Sequence, residues 1–337
     1  MRFKAQIQNI TTFNKFVASL ASIGPIAWVR LDEEHARFTV MPEQGTQVWA
    51  VLAIDTIFGH EYSIQSNADN TINLEVPLGS LQRALKSALQ AHSASIRLTK
   101  KDGRPILSIT IHRTTGPSAS LAGNAPVGDT DDFGGVPVPL QWGTSDRETV
   151  ITQDVPIRIL SQATVEGLHE PRCRDPDVHI LLPPLAQLKA ASDRFTKLAL
   201  STPFTGPGPR LELAANMHGC LRLRVAADAI DIKSVWTGLV NPELDPGEVE
   251  GGEGGVEGHP STRMRGLGDP LGRREEGWAT VRIDGRDWGK VMSVGRLGGR
   301  VIACFCHESA LILYVYMPDD EGREDSVLTY YISSYSI

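Results

Sequence analysis

Cysteine is scarce in this chain of 337 residues: Cys173, Cys220, Cys304 and Cys306 are all there is. So few thiols do not suggest a disulfide framework, and a reducing compartment is expected. Aromatic residues are sparse as well, at 6%. No apolar run approaches the roughly 18 residues that span a membrane, so no membrane association is expected. The opening residues Arg2, Phe3 and Lys4, followed by alternation, lack the apolar centre of a secretory signal. Phosphate-binding signatures are missing too. There is no GxxxxGK followed by Ser or Thr, and no GxGxxG after a strand.

Metal and catalytic constellations are equally thin. Cys304 and Cys306 stand beside His307, but alternation puts both cysteines on one face of a buried strand. No second pair lies at zinc spacing. His60-Glu61 and His169-Glu170 lack the second histidine a helical zinc site wants. Asp129, Asp131 and Asp132 fall in a stretch without periodicity, a poor place to preorganise a cation. No catalytic residue, metal or cofactor is assigned, and the chain is not expected to be an enzyme.

Net charge is -7. Most of it comes from Asn241 to Glu276, where nine acidic residues face four arginines. The body is therefore near neutral and can still carry a basic stripe.

What is present is a repeated plan. Leu78, Leu81, Leu85 and Leu89 form an apolar stripe at helical period, with Arg83, Lys86 and Gln90 on the opposite face. Ile96 and Leu98 then alternate as in a half-buried strand. Earlier, Phe3, Ala5 and Ile7 alternate. Thr11 or Thr12 can cap a helix bearing Phe13, Phe16, Val17 and Leu20, with Lys15 as its cation and Gly24-Pro25 as its stop. Strand patterns follow through Val76 and resume up to His112. Thr114 to Asp146 is rich in Gly, Pro, Ser and Asp and reads as a flexible loop. Thr149 to Leu160 alternates again.

The second half repeats the order. A strand at Val178 to Leu182 leads through Pro183-Pro184 into a helix with Leu185, Leu188 and Phe195 inward and Lys189, Arg194 and Lys197 elsewhere. Strands follow to Trp236. The segment Asn241 to Glu276 has few apolar residues and is expected to be disordered and removable without loss of fold. Asp284 can cap a helix running through Val294, with Arg286 and Lys290 on one face, and three strands close the chain. Two similar domains are expected, at 1–160 and 177–337. A connecting loop lies at 161–176, with insertions at about 114–147 and 241–276. Basic residues recur on all four helices. Pattern alone fits either solvated helix faces or a shared cationic lining.

The order and the basic helices resemble the PCNA-like DNA sliding clamps, an α+β fold. Particular stretches resemble the Hus-type subunit of the checkpoint clamp, the nine-one-one ring. These are MRFKAQI at the start, SLQRALKSA at Ser80 to Ala88, and VITQDVPIRIL at Val150 to Leu160. DPDVHILLPPLAQLK at Asp175 to Lys189 and VRIDGRD at Val281 to Asp287 complete the set.

The resemblance implies a subunit of a heterotrimeric ring around double-stranded DNA, with helices inside and sheets outside. Lys15, Arg83, Lys86, Lys189, Arg194, Lys197, Arg286 and Lys290 would face the phosphates. Ring closure would use the edge strands Thr149 to Leu160 and Ala229 to Trp236, through Val155, Ile157, Ile159, Ile230, Ile232 and Trp236. It further implies two different Rad-type partner subunits, a clamp loader acting at a primer–template junction, checkpoint and repair clients, and a nuclear location. Val165 and Leu168 in the connecting loop would border a client groove or simply belong to a linker. Two other classes stay open on sequence: a homotrimeric replication clamp of the PCNA type, or an enzyme such as a nuclease.

Overall fold

The structure, a computed structural model, describes residues 1–43, 45–115, 147–201, 210–227, 230–247, 249, 251–317 and 326–335. The loop expected at about 114–147, with Asp129, Asp131 and Asp132, lies almost wholly outside the described residues.

The first half runs β1 (Arg2–Gln6), α1 (Ile10–Ile23), β2 (Ile26–Leu31), β3 (His35–Val40), β4 (Gln47–Ala53), α2 (Ile54–Ile57), β5 (Ser63–Gln65), β6 (Ile72–Pro77), α3 (Leu78–Ala88), β7 (Ser93–Lys101), β8 (Arg104–Thr115) and β9 (Arg147–Pro156). After β10 (Arg158–Ile159) and α4 (Gln162–Val165), the second half runs β11 (Val178–Leu181), α5 (Leu185–Leu200), β12 (Leu211–Ala215), β13 (Leu221–Ala227) and β14 (Ile230–Trp236). It continues with α6 (Gly252–Gly258), α7 (Pro260–Arg265), β15 (Ala279–Ile283), α8 (Gly285–Val291), a 3-10 segment (Met292–Leu297), β16 (Arg300–Cys306), β17 (Ala310–Tyr316) and β18 (Val327–Ser333).

Local chemistry explains the helix ends. Asn9, not Thr11 or Thr12, caps α1: its Oδ1 accepts from Thr12 N at 3.1 Å, which satisfies one of the first-turn donors. The helix stops at Gly24-Pro25, where an added Cβ on Gly24 would sit 2.8 Å from Val40 Cγ1. Leu78, Leu81, Ala84, Leu85 and Ala88 form the buried face of α3. Full burial of each leucine contributes about 1.5–3 kcal/mol. Leu89 lies past the helix end and is 43% exposed, so Ala88 takes the inward place the stripe assigned to it. Asp284 Oδ1 accepts from Arg286 N at 2.7 Å and caps α8. That helix tightens into 3-10 geometry at Met292 rather than continuing as α through Val294.

All strand pairs are antiparallel. One sheet has the order β5-β1-β7-β8-β9, another β14-β13-β12-β15, and the central sheet β10-β6-β2-β3-β4-β18-β17-β16-β11. The repeat is visible in the pairing. The order β1-β7-β8-β9 in the first half matches β11-β16-β17-β18 in the second, and β6-β2-β3-β4 matches β15-β12-β13-β14. The halves join where β4 pairs with β18, Ala50 opposite Leu328 and Val48 opposite Tyr330. The helices form a connected row: α3 packs on α1, α1 on α8 and the 3-10 segment, and α8 on α5. Gly285 lets α8 approach α5 closely, because an added Cβ would lie 2.5 Å from Thr196 Oγ1.

Two expectations are corrected. Thr149 to Leu160 is not one edge strand. β9 ends at Pro156, and Arg158 and Ile159 cross to the central sheet, opposite Glu75 and Leu74. The turn follows from Pro156, which cannot donate to a continuing ladder. The acidic insertion, in turn, is folded among its described residues. Its α7 packs on β11, His259 and Ser261 are buried, and Met264 packs against the main core. Polar anchors replace the missing apolar ones. Asn241 Nδ2 donates to His179 O at 2.7 Å, and the Asp269 carboxylate accepts from the N–H groups of Leu271, Arg273 and Arg274.

Candidate nucleic-acid interface

The row α3-α1-α8-α5 brings the eight cations of the sequence pattern onto one helical layer. Lys15 on α1 and Arg83 and Lys86 on α3 are exposed, as are Arg194 and Lys197 on α5 and Arg286 and Lys290 on α8. Lys189 is half-buried. Two of the eight are neutralised in place. Lys189 Nζ lies 2.8 Å from Asp193 Oδ2, and Lys290 Nζ lies 2.8 Å from Asp287 Oδ1. Arg83 leans on Ser80 Oγ at 3.2 Å. Lys15, Lys86, Arg194, Lys197 and Arg286 have no carboxylate within ion-pair distance among the described residues. Unpaired cations on helices suit a polyanion recognised through phosphates, since neutralising them costs no competing ion pair.

Sequence pattern passed over Arg296, which is exposed in the 3-10 segment beside α1 and α5. A stripe computed at 3.6 residues per turn misses it because the helix tightens after Val291.

The sheet edges differ sharply from one another. The free side of β11 is closed by its own chain: Leu181 N donates to Val240 O and Asn241 Nδ2 to His179 O. That of β15 is closed likewise, with Tyr335 N donating to Arg282 O at 2.8 Å and Glu308 N to Thr280 O at 2.8 Å. β9 and β14 each have one ladder partner, β8 and β13, and no outward backbone hydrogen bond among the described residues.

Of the six edge residues chosen from sequence, Val155 is buried and points into the core, so only its backbone lies on the edge. Ile157 and Ile159 have left β9 for the bend and for β10, and both pack against the main core. Ile230, Ile232 and Trp236 are the inward, half-buried set of β14. The outward side chains are Glu148, Val150, Thr152 and Asp154 on β9, and Asp231, Lys233 and Val235 on β14. Val150 and Val235 are 55% and 43% exposed, unusual for valine in a strand. Alternation in the sequence marks two faces and does not say which is inward.

Two of the edge carboxylates are held by their neighbours. The Lys101 ammonium at 2.8 Å holds the Asp154 carboxyl below the usual carboxylate range. The Arg224 guanidinium, contacting Asp231 through two hydrogen bonds of 2.8 Å, does the same there.

Beneath the connecting segment lies a groove of about 650 Å³, walled by Trp28, Trp49, Val165, Leu168, Tyr314 and Tyr331. Val165 and Leu168 thus both line it. The segment is tied down where Tyr331 OH donates to Glu170 Oε1 at 2.9 Å. The Trp49 indole N–H is buried without a hydrogen-bond partner among the described residues.

The Cys304, Cys306 and His307 run is placed as the alternation implied. Both thiols are buried on one face of β16, and His307 Nδ1 accepts from Thr280 N at 3.0 Å. Burial pushes the Cys304 thiol up to about 12 and that of Cys306 up to about 11. Among the described residues no three histidine, cysteine or carboxylate side chains cluster as metal ligands, and no helix is long and apolar enough to cross a membrane.

Comparison with known proteins bears on this geometry. The chain matches the family described as Hus1-like protein over residues 1–336. It is 37% identical over 336 residues to the checkpoint protein hus1 of Schizosaccharomyces pombe, covering 99% of each chain. Identity is 24% over 252 residues to checkpoint protein HUS1 of Homo sapiens, covering 72% of this chain and 76% of the human one. Among solved structures it is similar to the proliferating cellular nuclear antigen of Entamoeba histolytica, with a TM-score of 0.62 at 11% identity and 99% of both chains covered. It is also similar to a PCNA2–PCNA3 complex from Sulfolobus tokodaii, with a TM-score of 0.58 at 13% identity and the same coverage. The open edges of β9 and β14 and the basic helical row fit that fold, and the full-length match makes this chain a member of the Hus1-like protein family, a checkpoint clamp subunit with the PCNA-like fold.

Proposed function

We propose that the chain is a non-catalytic subunit of a heterotrimeric ring that encircles double-stranded DNA in the nucleus. In this reading it acts in DNA damage checkpoint signalling and repair. A clamp loader places the ring at a primer–template junction, and checkpoint and repair proteins dock on it, some of them in the groove under the connecting segment.

One observation carries the reading. Inside the chain, the last strand of the first half's β6-β2-β3-β4 run, β4, pairs with the last strand of the second half's β11-β16-β17-β18 run, β18, and makes one continuous sheet. Their counterparts in the repeat are β14 and β9, and these two are open. A β14 edge meeting the β9 edge of a neighbour would continue the same antiparallel junction around a ring and satisfy both rows of backbone groups. The cations on the helical layer would then meet phosphate. Such contacts carry no base information and permit sliding, while closure of the ring supplies retention.

The two edges also differ in chemistry, Glu148 and Asp154 on one and Asp231 and Lys233 on the other. The similarity to a PCNA2–PCNA3 complex agrees with unlike neighbours.

Light scattering on the purified chain, alone and co-expressed with two Rad-type subunits, tests this. The expected result is a monomer alone and a one-to-one-to-one ring with both partners, retained on circular duplex DNA and released when the circle is cut. A stable threefold mass of the chain alone would overturn the heterotrimer in favour of a homotrimeric replication clamp. Retention indifferent to cutting would overturn the encircling ring.

A further inference from the structure

The connecting segment returns to the sheet beside two buried thiols. Cys306 is buried at the end of β16, and its Sγ lies 3.4 Å from the carbonyl oxygen of Arg174. Cys173, the residue before Arg174, is exposed. The backbone around this contact is stapled. Asp177 N donates to Phe305 O at 2.8 Å, and His307 N donates to Asp177 Oδ2 at 2.7 Å. Arg174 ties the segment to the end of β16, its Nη2 donating to Asp177 Oδ2 at 2.7 Å and to His307 O at 3.0 Å. The segment carrying the exposed Cys173 is thus held against the end of β16, where the buried Cys306 thiol donates to the carbonyl of Arg174, the residue that follows Cys173.

We propose that Cys173 and Cys306 form a reversible disulfide under oxidation, fastening the connecting segment to β16. The inference stands on this contact and does not depend on the ring.

The oxidant is hydrogen peroxide, and the thiol proton leaves with the departing oxygen. The Cys173 thiolate attacks the peroxide oxygen, the O–O bond breaks, an S–O bond forms, and one water leaves. The Cys306 thiolate then attacks the Cys173 sulfur, an S–S bond forms, the S–O bond breaks, and a second water leaves. The two sulfurs supply the two electrons that reduce the peroxide. Cys306 is shielded from bulk reagents, so the loop thiol is its accessible reaction partner.

Cys304 is the less suited partner. It lies one pleat further along β16, opposite His179, and makes no hydrogen bond to the 173–177 segment among the described residues. Burial raises Cys306 to about 11 and also raises Cys173, so little thiolate exists at neutral pH. The bridge therefore forms slowly and responds to sustained oxidation, faster as pH rises. Once formed, it fixes the segment carrying Glu170, Val165 and Leu168 at both ends, between β10 and β16.

The test uses the full chain treated with hydrogen peroxide, then intact mass and peptide mapping without reduction. The expected product has lost two hydrogens and yields a Cys173–Cys306 cross-linked peptide that dithiothreitol releases. Cys173→Ala and Cys306→Ala lower the bridged fraction to background, whereas Cys304→Ala and Cys220→Ala leave it unchanged. Cys173 is exposed, so its variant folds even if removal of the buried Cys306 thiol disturbs the core. A Cys304–Cys306 link, a chain-to-chain link through Cys173, or oxygen addition at Cys173 without bridging would each overturn the proposal.

Discussion

Ser22 on α1 and Ser293 in the 3-10 segment stand 2.8 Å apart, oxygen to oxygen, although 271 positions separate them in the chain. Ser22 Oγ also lies 2.6 Å from Ser19 O and 3.0 Å from Lys290 O. Its one proton can serve only one carbonyl, leaving its lone pairs to accept from the Ser293 hydroxyl. The helical layer is thereby tied across the two halves. Neither half presents its helices independently.

That pair should be energetically coupled. Ser22→Ala and Ser293→Ala, singly and together, are expected to show a coupling of about 0.5–1.5 kcal/mol in urea unfolding, the range of a shared hydrogen bond. Additive effects would mean the two hydroxyls are satisfied independently.

Reversing the charges on α3 tests the lining. Arg83→Glu with Lys86→Glu removes two exposed cations whose faces carry no core contact, so melting temperature and ring mass should hold. Retention on DNA should fall, most at low salt. The slope of log affinity against log salt should become shallower by about 2, on the basis of nearly one unit per phosphate contact. An unchanged slope would remove these residues from the interface.

The insertion should loosen with acid. Burial pushes the His179 imidazole below its ordinary 6.5, opposed by the 2.7 Å hydrogen bond to Pro242 O and reinforced by His259 and Arg265 nearby. The folded state therefore binds the proton more weakly than the unfolded one. Stability is complete above about 6.5 and is lost as pH falls toward the lowered folded value. Limited proteolysis within 243–275 should accelerate across that window, and His179→Asn should flatten the response. Identical pH profiles for both proteins would refute the role of His179.

Tyr330 is fully buried in β18, and its hydroxyl has no hydrogen-bond partner among the described residues. Burial accordingly raises its phenol well above the usual range. An orphan buried hydroxyl costs about 1–3 kcal/mol, so Tyr330→Phe should be neutral or stabilising by up to about that amount. A clear drop in melting temperature would show that the hydroxyl is satisfied after all.

Much of the fold was legible because each local signal had one physical meaning. The stripe of Leu78, Leu81 and Leu85 can only be the inner face of a helix, and Phe3 with Ala5 only the inner face of a strand. The Asp284 cap was readable for the same reason. The errors arose where a local rule met a distant partner. Asn9 took the cap because the strand before it delivers the chain one turn earlier than the threonines suggest. The insertion looked unfoldable by composition, yet it borrows its core from β11 and the β12–β13 turn, which no composition can reveal. Val155 was chosen for an edge it lies on, but with the wrong face, since alternation has no sign.

The sequence alone determined the main strands and the four main helices, their order in two similar halves and the cations on those helices, all of which follow from periods of 2 and 3.6 residues read within a few tens of positions. The likeness to sliding clamps came from resemblance of particular stretches. Which edges stay open was decided only by the tertiary structure. An edge is defined by the partner a strand lacks: β4 and β14 are counterparts in the repeat, and only the docking of β18 distinguishes them. The same holds for charge. Lys189 and Lys290 are cations in the sequence, and Asp193 and Asp287 folded onto them leave Lys15, Arg83, Lys86, Arg194, Lys197 and Arg286 as the cations of the proposed interface without a carboxylate partner among the described residues.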